Sequence, residues 1–276
     1  MIKFTKMHGI GNDFPMVNGF SQTFSDADLP ELAREMCDRR FGVGGDGLIF
    51  AFPGVETQFA MRMFNPDGSE SEMCGNGIRC FAQFVQDQGL TTDSVIPVET
   101  GAGRLTLHVL EDRRVRVDMG IARLKRGEIG MTGPADEKFI GEQVSAGGHM
   151  FFSGTAVSMG NPHLVIPVED ASAIDLNDVG PAFEHHPDFP ARVNVHFIQV
   201  LGRGELIQRT WERGAGITLA CGTGACSCAV AAYELGLTDR SVLIHLPGGD
   251  LEIEYQEDGR VFMTGPAATV FDGVWN

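Results

Sequence analysis

Two short stretches carry the chemistry most visible in this chain. Cys74-Gly75-Asn76-Gly77 and Cys221-Gly222-Thr223-Gly224 each set a cysteine before glycines and a run with helical spacing. A cysteine at a helix start lies beside unpaired backbone N–H groups and the positive end of the helix dipole, and both favour the thiolate. The glycines let a ligand approach the backbone, and the same N–H groups form a seat for a carboxylate. One acidified thiol and one anion seat in each copy suit inversion at a carbon next to a carboxylate. A thiolate takes the Cα proton from one face and a thiol returns a proton to the other. The N–H groups stabilise the charge that develops between these steps. The other cysteines, Cys37, Cys80, Cys226 and Cys228, read as buried structural thiols, since free Cys is among the most buried residue types.

The elements that must position these cysteines also come twice. Met73 to Cys80 resembles Ala220 to Ser227, and Gln88-Gly89-Leu90-Thr91 resembles Leu235-Gly236-Leu237-Thr238, each 147 positions on. Gly11-Asn12 and Gly160-Asn161, and Val117 to Gly120 and Phe262 to Gly265, keep the same order at nearly the same offset. A duplicated domain with loop insertions is expected. In each copy short β-branched runs come before the cysteine, Gly47 to Phe50 and Val193 to Ile198. Helical spacing follows it, at Ile78, Phe81, Ala82 and Val85 and at Cys228, Ala229, Ala232 and Leu235, with Gly89 and Gly236 as stops. Alternating strands then come at Arg104 to Val109 and Arg113 to Val117, and at Asp250 to Tyr255 and Arg260 to Met263. The expected fold class is α+β: two pseudo-symmetric domains, each a mostly antiparallel, barrel-like sheet wrapped around a central helix. The expected halves are residues 1–120, joined by the tail 266–276, and residues 121–265. Leu29 to Arg40 reads as a surface helix, Pro134 to Gly148 as an exposed excursion, and His185-His186-Pro187 as a solvated loop.

Composition narrows the function classes. The chain has 276 residues, 43% hydrophobic and 21% charged, as globular proteins do. Its 21 Lys and Arg against 37 Asp and Glu give a net charge of −16, unsuited to nucleic acid or an anionic membrane. No apolar run approaches the ~20 residues of a membrane span, and Met1 to Phe14 lacks the apolar stretch of an export signal. A cytoplasmic, reduced protein is expected. Gly42-Val43-Gly44-Gly45-Asp46-Gly47 fits a dinucleotide fingerprint literally. However, it follows a helix-like stretch and leads into a strand-like one, the reverse of the required order. There is no P-loop, and no lysine follows Lys138, which argues against a pyridoxal Schiff base. Cys-x2-Cys spacing is absent. No cofactor and no metal are expected.

At the residues that carry these signals the chain resembles the diaminopimelate epimerase family of cofactor-independent isomerases. The matching motifs are Lys6 to Phe14, Phe64 to Ser69, Met73 to Cys80, Met159 to His163, Val193-Asn194, Trp211 to Gly214 and Ala220 to Cys226. They span nearly the whole chain in the family's order. The resemblance implies interconversion of LL- and meso-2,6-diaminopimelate in lysine and peptidoglycan-precursor synthesis, with Cys74 and Cys221 as the base–acid pair. It further implies that Gly75, Asn76, Gly222 and Thr223 hold the reacting-end carboxylate. Asn12, Asn65, Asn161, Asn194, Glu212 and Arg213 would bind the substrate's other polar groups, with His163 and Glu212 tuning the thiols. A homodimer is implied as well. Gly47 stands where some members carry a substrate-contacting Gln, Ile217 where many are charged, and Pro15 interrupts a stretch usually apolar. Two alternatives stay open here. Proline racemases and hydroxyproline epimerases share the two-thiol logic but resemble Cys-Gly-His where this chain has Cys74-Gly75-Asn76. A non-catalytic binding homologue is the other.

Overall fold

The computed structural model describes residues 1–147 and 150–276. The chain forms two compact units, Met1–Asp118 with Thr264–Asn276, and Met119–Met263. Unit 1 contains β1 (Ile2–Gly9), β2 (Asn12–Asn18), α1 (Leu29–Cys37), β3 (Leu48–Pro53), β4 (Phe59–Phe64), β5 (Glu70–Ser71), α2 (Gly75–Asp87), β6 (Val95–Thr100), β7 (Gly103–Val109) and β8 (Val115–Ile121). Unit 2 contains α3 (Arg126–Ile129), β9 (Glu142–Ala146), β10 (Met150–Ser158), β11 (Pro162–Pro167), α4 (Leu176–Glu184), β12 (Asn194–Gly202), β13 (Glu205–Glu212), β14 (Gly216–Ile217), α5 (Gly222–Glu234), β15 (Ser241–Leu246), β16 (Gly249–Tyr255) and β17 (Arg260–Gly265). A last strand, β18 (Ala268–Trp275), returns to unit 1 and pairs with β1 from Ile2↔Trp275 to His8↔Ala268.

The two units repeat one pairing scheme. In unit 1, β1–β2 is antiparallel, β2–β3 parallel, β3–β4 antiparallel, β4–β6 parallel and β6–β7 antiparallel, with β5 on β4. In unit 2, β10–β11 is antiparallel, β11–β12 parallel, β12–β13 antiparallel, β13–β15 parallel and β15–β16 antiparallel, with β14 on β13. Each parallel step is a crossover that carries a helix, α1 and α2 in unit 1, α4 and α5 in unit 2. The fold is thus α+β with few helices, and each mostly antiparallel sheet has two parallel joints.

The helices form where the sequence asks for them. α1 buries Leu29, Leu32, Ala33, Met36 and Cys37 on one face. These join Phe4, Leu48, Phe50 and Phe64 in one cluster, where each large apolar side chain contributes about 1.5–3 kcal/mol. α4 does the same in unit 2 with Leu176, Val179 and Phe183 against Phe189, Val195 and Phe197. α2 packs on β1, β2, β3 and β7, and α5 on β10, β11, β12, β13, β15 and β16. Both end alike. Gly89 (φ 67°) and Gly236 (φ 71°) take the left-handed conformation. Leu90 and Leu237 then donate back to Val85 and Ala232, as Gly89 and Gly236 do to Gln86 and Tyr233. This is a Schellman stop, which leaves few helix carbonyls unpaired.

One expectation changes. The segment from Pro134 is not an exposed excursion throughout, because Phe139 and Val144 are buried and β9 pairs with β10. Its three large apolar residues, Phe139, Ile140 and Val144, are too few and too unevenly spaced to show alternation. Its Gly148 end lies outside the described residues.

Candidate functional site

Each cysteine sits at the N-cap of its unit's crossover helix, with extended backbone that turns into the first helical turn. In unit 1 the Cys74 Sγ accepts the Gly77 N–H at 3.5 Å and lies 3.6 Å from Asn12 Oδ1, to which the thiol donates. Asn12 follows a two-residue hairpin, Ile10 (φ 48°) and Gly11 (φ 88°), the left-handed pair such a tight turn requires. Its Oδ1 also accepts from Asn76 Nδ2 at 3.1 Å, and its Nδ2 donates to Asp46 Oδ2 at 2.5 Å. The Asn12 amide is therefore held from both ends.

Charge surrounds this group. Asp46 pairs with Arg39 at 2.6 Å, Arg39 with Asp13 at 2.7 Å and Asp13 with Lys6 at 2.6 Å, while the Lys6 ammonium donates to the Gly44 carbonyl. Burial raises the Asp13 carboxyl's pKa, but hydrogen bonds from Arg39 and Lys6 outweigh it and hold the group below the ordinary value. On the helix, the buried Arg79 donates to the Gly75 carbonyl and Asn76 Oδ1, both at 3.0 Å, and to the Pro266 carbonyl at 3.1 Å. It fixes the turn that carries Gly75 and Asn76. The sequence reading named none of Asp46, Arg39 or Arg79 as functional. The Gly42 to Gly47 stretch, rejected above as a dinucleotide motif, is a turn that delivers Asp46 to Asn12. Asn65 lies in the turn after β4, where its Nδ2 donates to Ser69 Oγ at 3.0 Å.

Unit 2 builds a different wall from the same scheme. Cys221 is buried, 6% exposed, with Sγ 3.8 Å from Thr223 Oγ1. Burial first, and the Glu212 carboxylate second, push this thiol well above its ordinary pKa, and the Gly224 N–H and Thr223 hydroxyl pull it down by less. The expected acidification at the helix start is outweighed here, so the resting group is the thiol. Glu212 ends β13 and accepts the Thr218 hydroxyl proton at 2.5 Å. Asn194 ties the start of β12 to both neighbours: its Nδ2 donates to the Pro162 carbonyl at 2.9 Å, and its Oδ1 accepts the Arg213 N–H at 3.0 Å. The Arg213 side chain is exposed and donates to the Ala191 carbonyl at 2.9 Å.

Asn161 lies in the hairpin before β11, the counterpart of the turn before Asn12. Its Oδ1 is 2.8 Å from His163 Nε2, and His163 Nδ1 is 2.8 Å from His196 Nε2. Both rings are fully buried. Burial, then His196 and Arg213, hold the His163 pKa well below its ordinary value, and burial lowers that of His196 to about 3. Both are neutral imidazoles. The ligand atoms of His163, His196 and Cys221 all lie within 4.8 Å of one another. The two ring nitrogens are nearer than the roughly 3.3 Å expected of two nitrogens on one tetrahedral zinc, so they share a proton rather than present a metal site. The sequence reading missed His196, whose one signal was a histidine inside the mostly apolar run Val193 to Ile198.

The family model described as diaminopimelate epimerase matches residues 4–125 and again 155–270, once per unit. The chain is 54% identical over 278 aligned positions to diaminopimelate epimerase 1 of Nostoc sp. (strain PCC 7120 / SAG 25.82 / UTEX 2576), covering 99% of each. It is 52% identical to the diaminopimelate epimerase of Moorella thermoacetica (strain ATCC 39073 / JCM 9320), covering 98% of each. Among solved structures, a hydroxyproline epimerase from Agrobacterium vitis shares the fold at 14% identity, with a TM-score of 0.68 over 99% of this chain and 90% of that one. Among the described residues, no helix is long and apolar enough to cross a membrane.

Proposed function

This chain belongs to the diaminopimelate epimerase family, and on that premise we propose that it interconverts LL- and meso-2,6-diaminopimelate without a cofactor, in lysine and peptidoglycan-precursor synthesis. One cysteine, as thiolate, removes the Cα proton. The other, as thiol, delivers a proton to the opposite face, and the reverse reaction exchanges the roles. Cys221 rests as the thiol and is ready to donate. To act as base it must lose its proton against burial and Glu212, and the substrate's ammonium supplies the cation that makes this possible. Gly75, Asn76, Gly222 and Thr223 hold the reacting carboxylate on the first-turn N–H groups. Asn12, Asn65, Asn161, Asn194 and Glu212 take the substrate's remaining polar groups, and the exposed Arg213 guanidinium takes the distal carboxylate. His163 and Glu212 set the protonation of the thiols. The enzyme acts in the cytoplasm as a homodimer.

The observation that carries this reading is the pair of cysteine N-caps at equivalent points of the two units, in a chain about half identical to its named relatives over nearly full length. The test is incubation with LL-diaminopimelate in deuterated buffer, followed by isomer-resolved chromatography and mass analysis. The expected result is meso product with deuterium at the inverted Cα. Absence of both isomerisation and exchange overturns the reading. Turnover of hydroxyproline instead moves the chain to the racemase alternative.

A further inference from the structure

The polar network behind Cys221 runs deeper than the residues the family resemblance points to. An amide oxygen only accepts, so the proton between His163 Nε2 and Asn161 Oδ1 (2.8 Å) belongs to the histidine. A neutral His163 then accepts at Nδ1, and His196 must donate its Nε2–H across 2.8 Å. His196 Nδ1 is left as an acceptor. It faces the Thr210 hydroxyl at 2.9 Å and the Gln208 amide nitrogen at 3.3 Å, and Gln208 Nε2 also donates to Thr210 Oγ1 at 2.9 Å. Every donor points the same way, from Gln208 through Thr210, His196 and His163 to Asn161. Gln208 Oε1 is buried without a partner, so the amide gives up one hydrogen bond to aim its N–H groups at this chain.

The strands make the alignment possible. His196 lies directly opposite Thr210 in the β12–β13 register, and Gln208 is two residues from Thr210 on the same face. The ring reaches the first turn of α5 only because residue 224 is glycine. A Cβ there would lie 2.3 Å from His196 Cε1 and 3.0 Å from Cys221 Sγ. The titratable and polar groups around the thiol are Glu212 on β13, Thr223 and Cys228 on α5, His163 on β11 and His196 on β12, with Arg213 acting on His163.

We propose that His196 is a positioning residue for the Cys221 half-site. By donating to His163 Nδ1 it fixes the His163 proton on Nε2, aimed at Asn161, and keeps an uncharged imidazole pair beside the thiol. This rests on Cys221 taking part in the reaction proposed above, although the tautomer itself does not.

The test has two arms. Nitrogen-15 NMR of the histidine rings in the unaltered protein, at neutral pH, reads the tautomer directly. The expected result is His163 protonated on Nε2 and bare on Nδ1, and the reverse tautomer overturns the proposal. The second arm compares His196→Phe, which removes the donor but keeps a ring, with His196→Gln, which keeps an N–H. His196→Phe is expected to lower kcat by about tenfold to a hundredfold, with KM changed far less. It should also redistribute the His163 proton and shift the pH at which Cys221 becomes alkylated by iodoacetamide. His196→Gln restores the His163 signal and most of the activity. Wild-type activity and alkylation profile in His196→Phe refute the idea, as does equal loss of activity in both variants with His163 unchanged. If the unaltered protein fails to epimerise diaminopimelate yet shows the expected tautomer, the reaction assignment fails and the positioning role stands.

Discussion

Cys74 caps a helix that carries the buried Arg79, beside a lysine, an arginine and two aspartates linked in a row, and its thiol points at an asparagine gripped by one of those aspartates. Cys221 caps a helix of the same length at the same step of the same pairing scheme, yet its surroundings are two neutral histidines backed by a threonine and a glutamine amide, with the Glu212 carboxylate as the charge that acts on the thiol. The comparison separates what a duplicated backbone supplies from what it leaves open. The N-cap, the first-turn N–H groups and the glycine stop come from the shared chain path. The electrostatics come from side chains on the crossover strands, which differ between the copies. One thiol lies near a row of ion pairs, the other is buried, and burial with the Glu212 carboxylate holds its proton on.

Replacing either thiol tests whether the two walls serve one reaction. Cys74→Ser and Cys221→Ser should each lower epimerisation by roughly 10³-fold or more while leaving the fold intact. Full activity of either single variant in a steady-state assay breaks the pairing of roles.

The glycines behind the thiols offer the next contrast. An added Cβ at Gly77 meets the end of Ile49 at 2.7 Å, a methyl group that can turn aside, whereas at Gly224 it meets the His196 ring at 2.3 Å. Gly77→Ala should be near neutral, helped by helix propensity. Gly224→Ala should cost about 2–3 kcal/mol in denaturant unfolding, because a buried ring must move. Equal costs at the two positions would remove the asymmetry.

The smallest expected effect is with pH. A histidine whose folded pKa is lowered contributes stability that is present above its unfolded value, near 6.5, and is lost as pH falls toward the folded one. For His196 that window runs from 6.5 down to about 3. Asp13, with its folded pKa lowered from 3.8, loses its contribution only below that value. At pH 4.5 the protection of amides in α5, with the intrinsic exchange rates divided out, should therefore fall relative to pH 7 by about tenfold more than in α2, roughly 1.4 kcal/mol. An identical fall in both helices contradicts the buried neutral pair.

Much of this was legible in the chain itself. The starts of α2 and α5 follow from Cys-Gly-x-Gly, their stops from Gly89 and Gly236, and the buried face of α1 from the spacing of Leu29, Leu32, Ala33 and Met36. The parallel joints were not legible, because alternation within a strand says which face is buried and nothing about which strand lies alongside. The same limit hid His196 and Asp46. Their partners, Thr210 and His163, or Asn12 and Arg39, come from other elements, and only the sheet register or a turn brings them near. β9 shows the converse, since a strand with a single buried large side chain, Val144, gives no periodic signal.

The return of β18 to β1 sets an order on synthesis. Unit 1 needs residues 264–276, which follow all of unit 2 in the chain, so it stays incomplete on the ribosome until unit 2 has emerged. Until then β1 has a bare edge open to stray pairing, and the guanidinium of Arg79, enclosed within the finished unit, lacks the Pro266 carbonyl. The nascent protein can therefore complete its first unit only after all of its second has been synthesised.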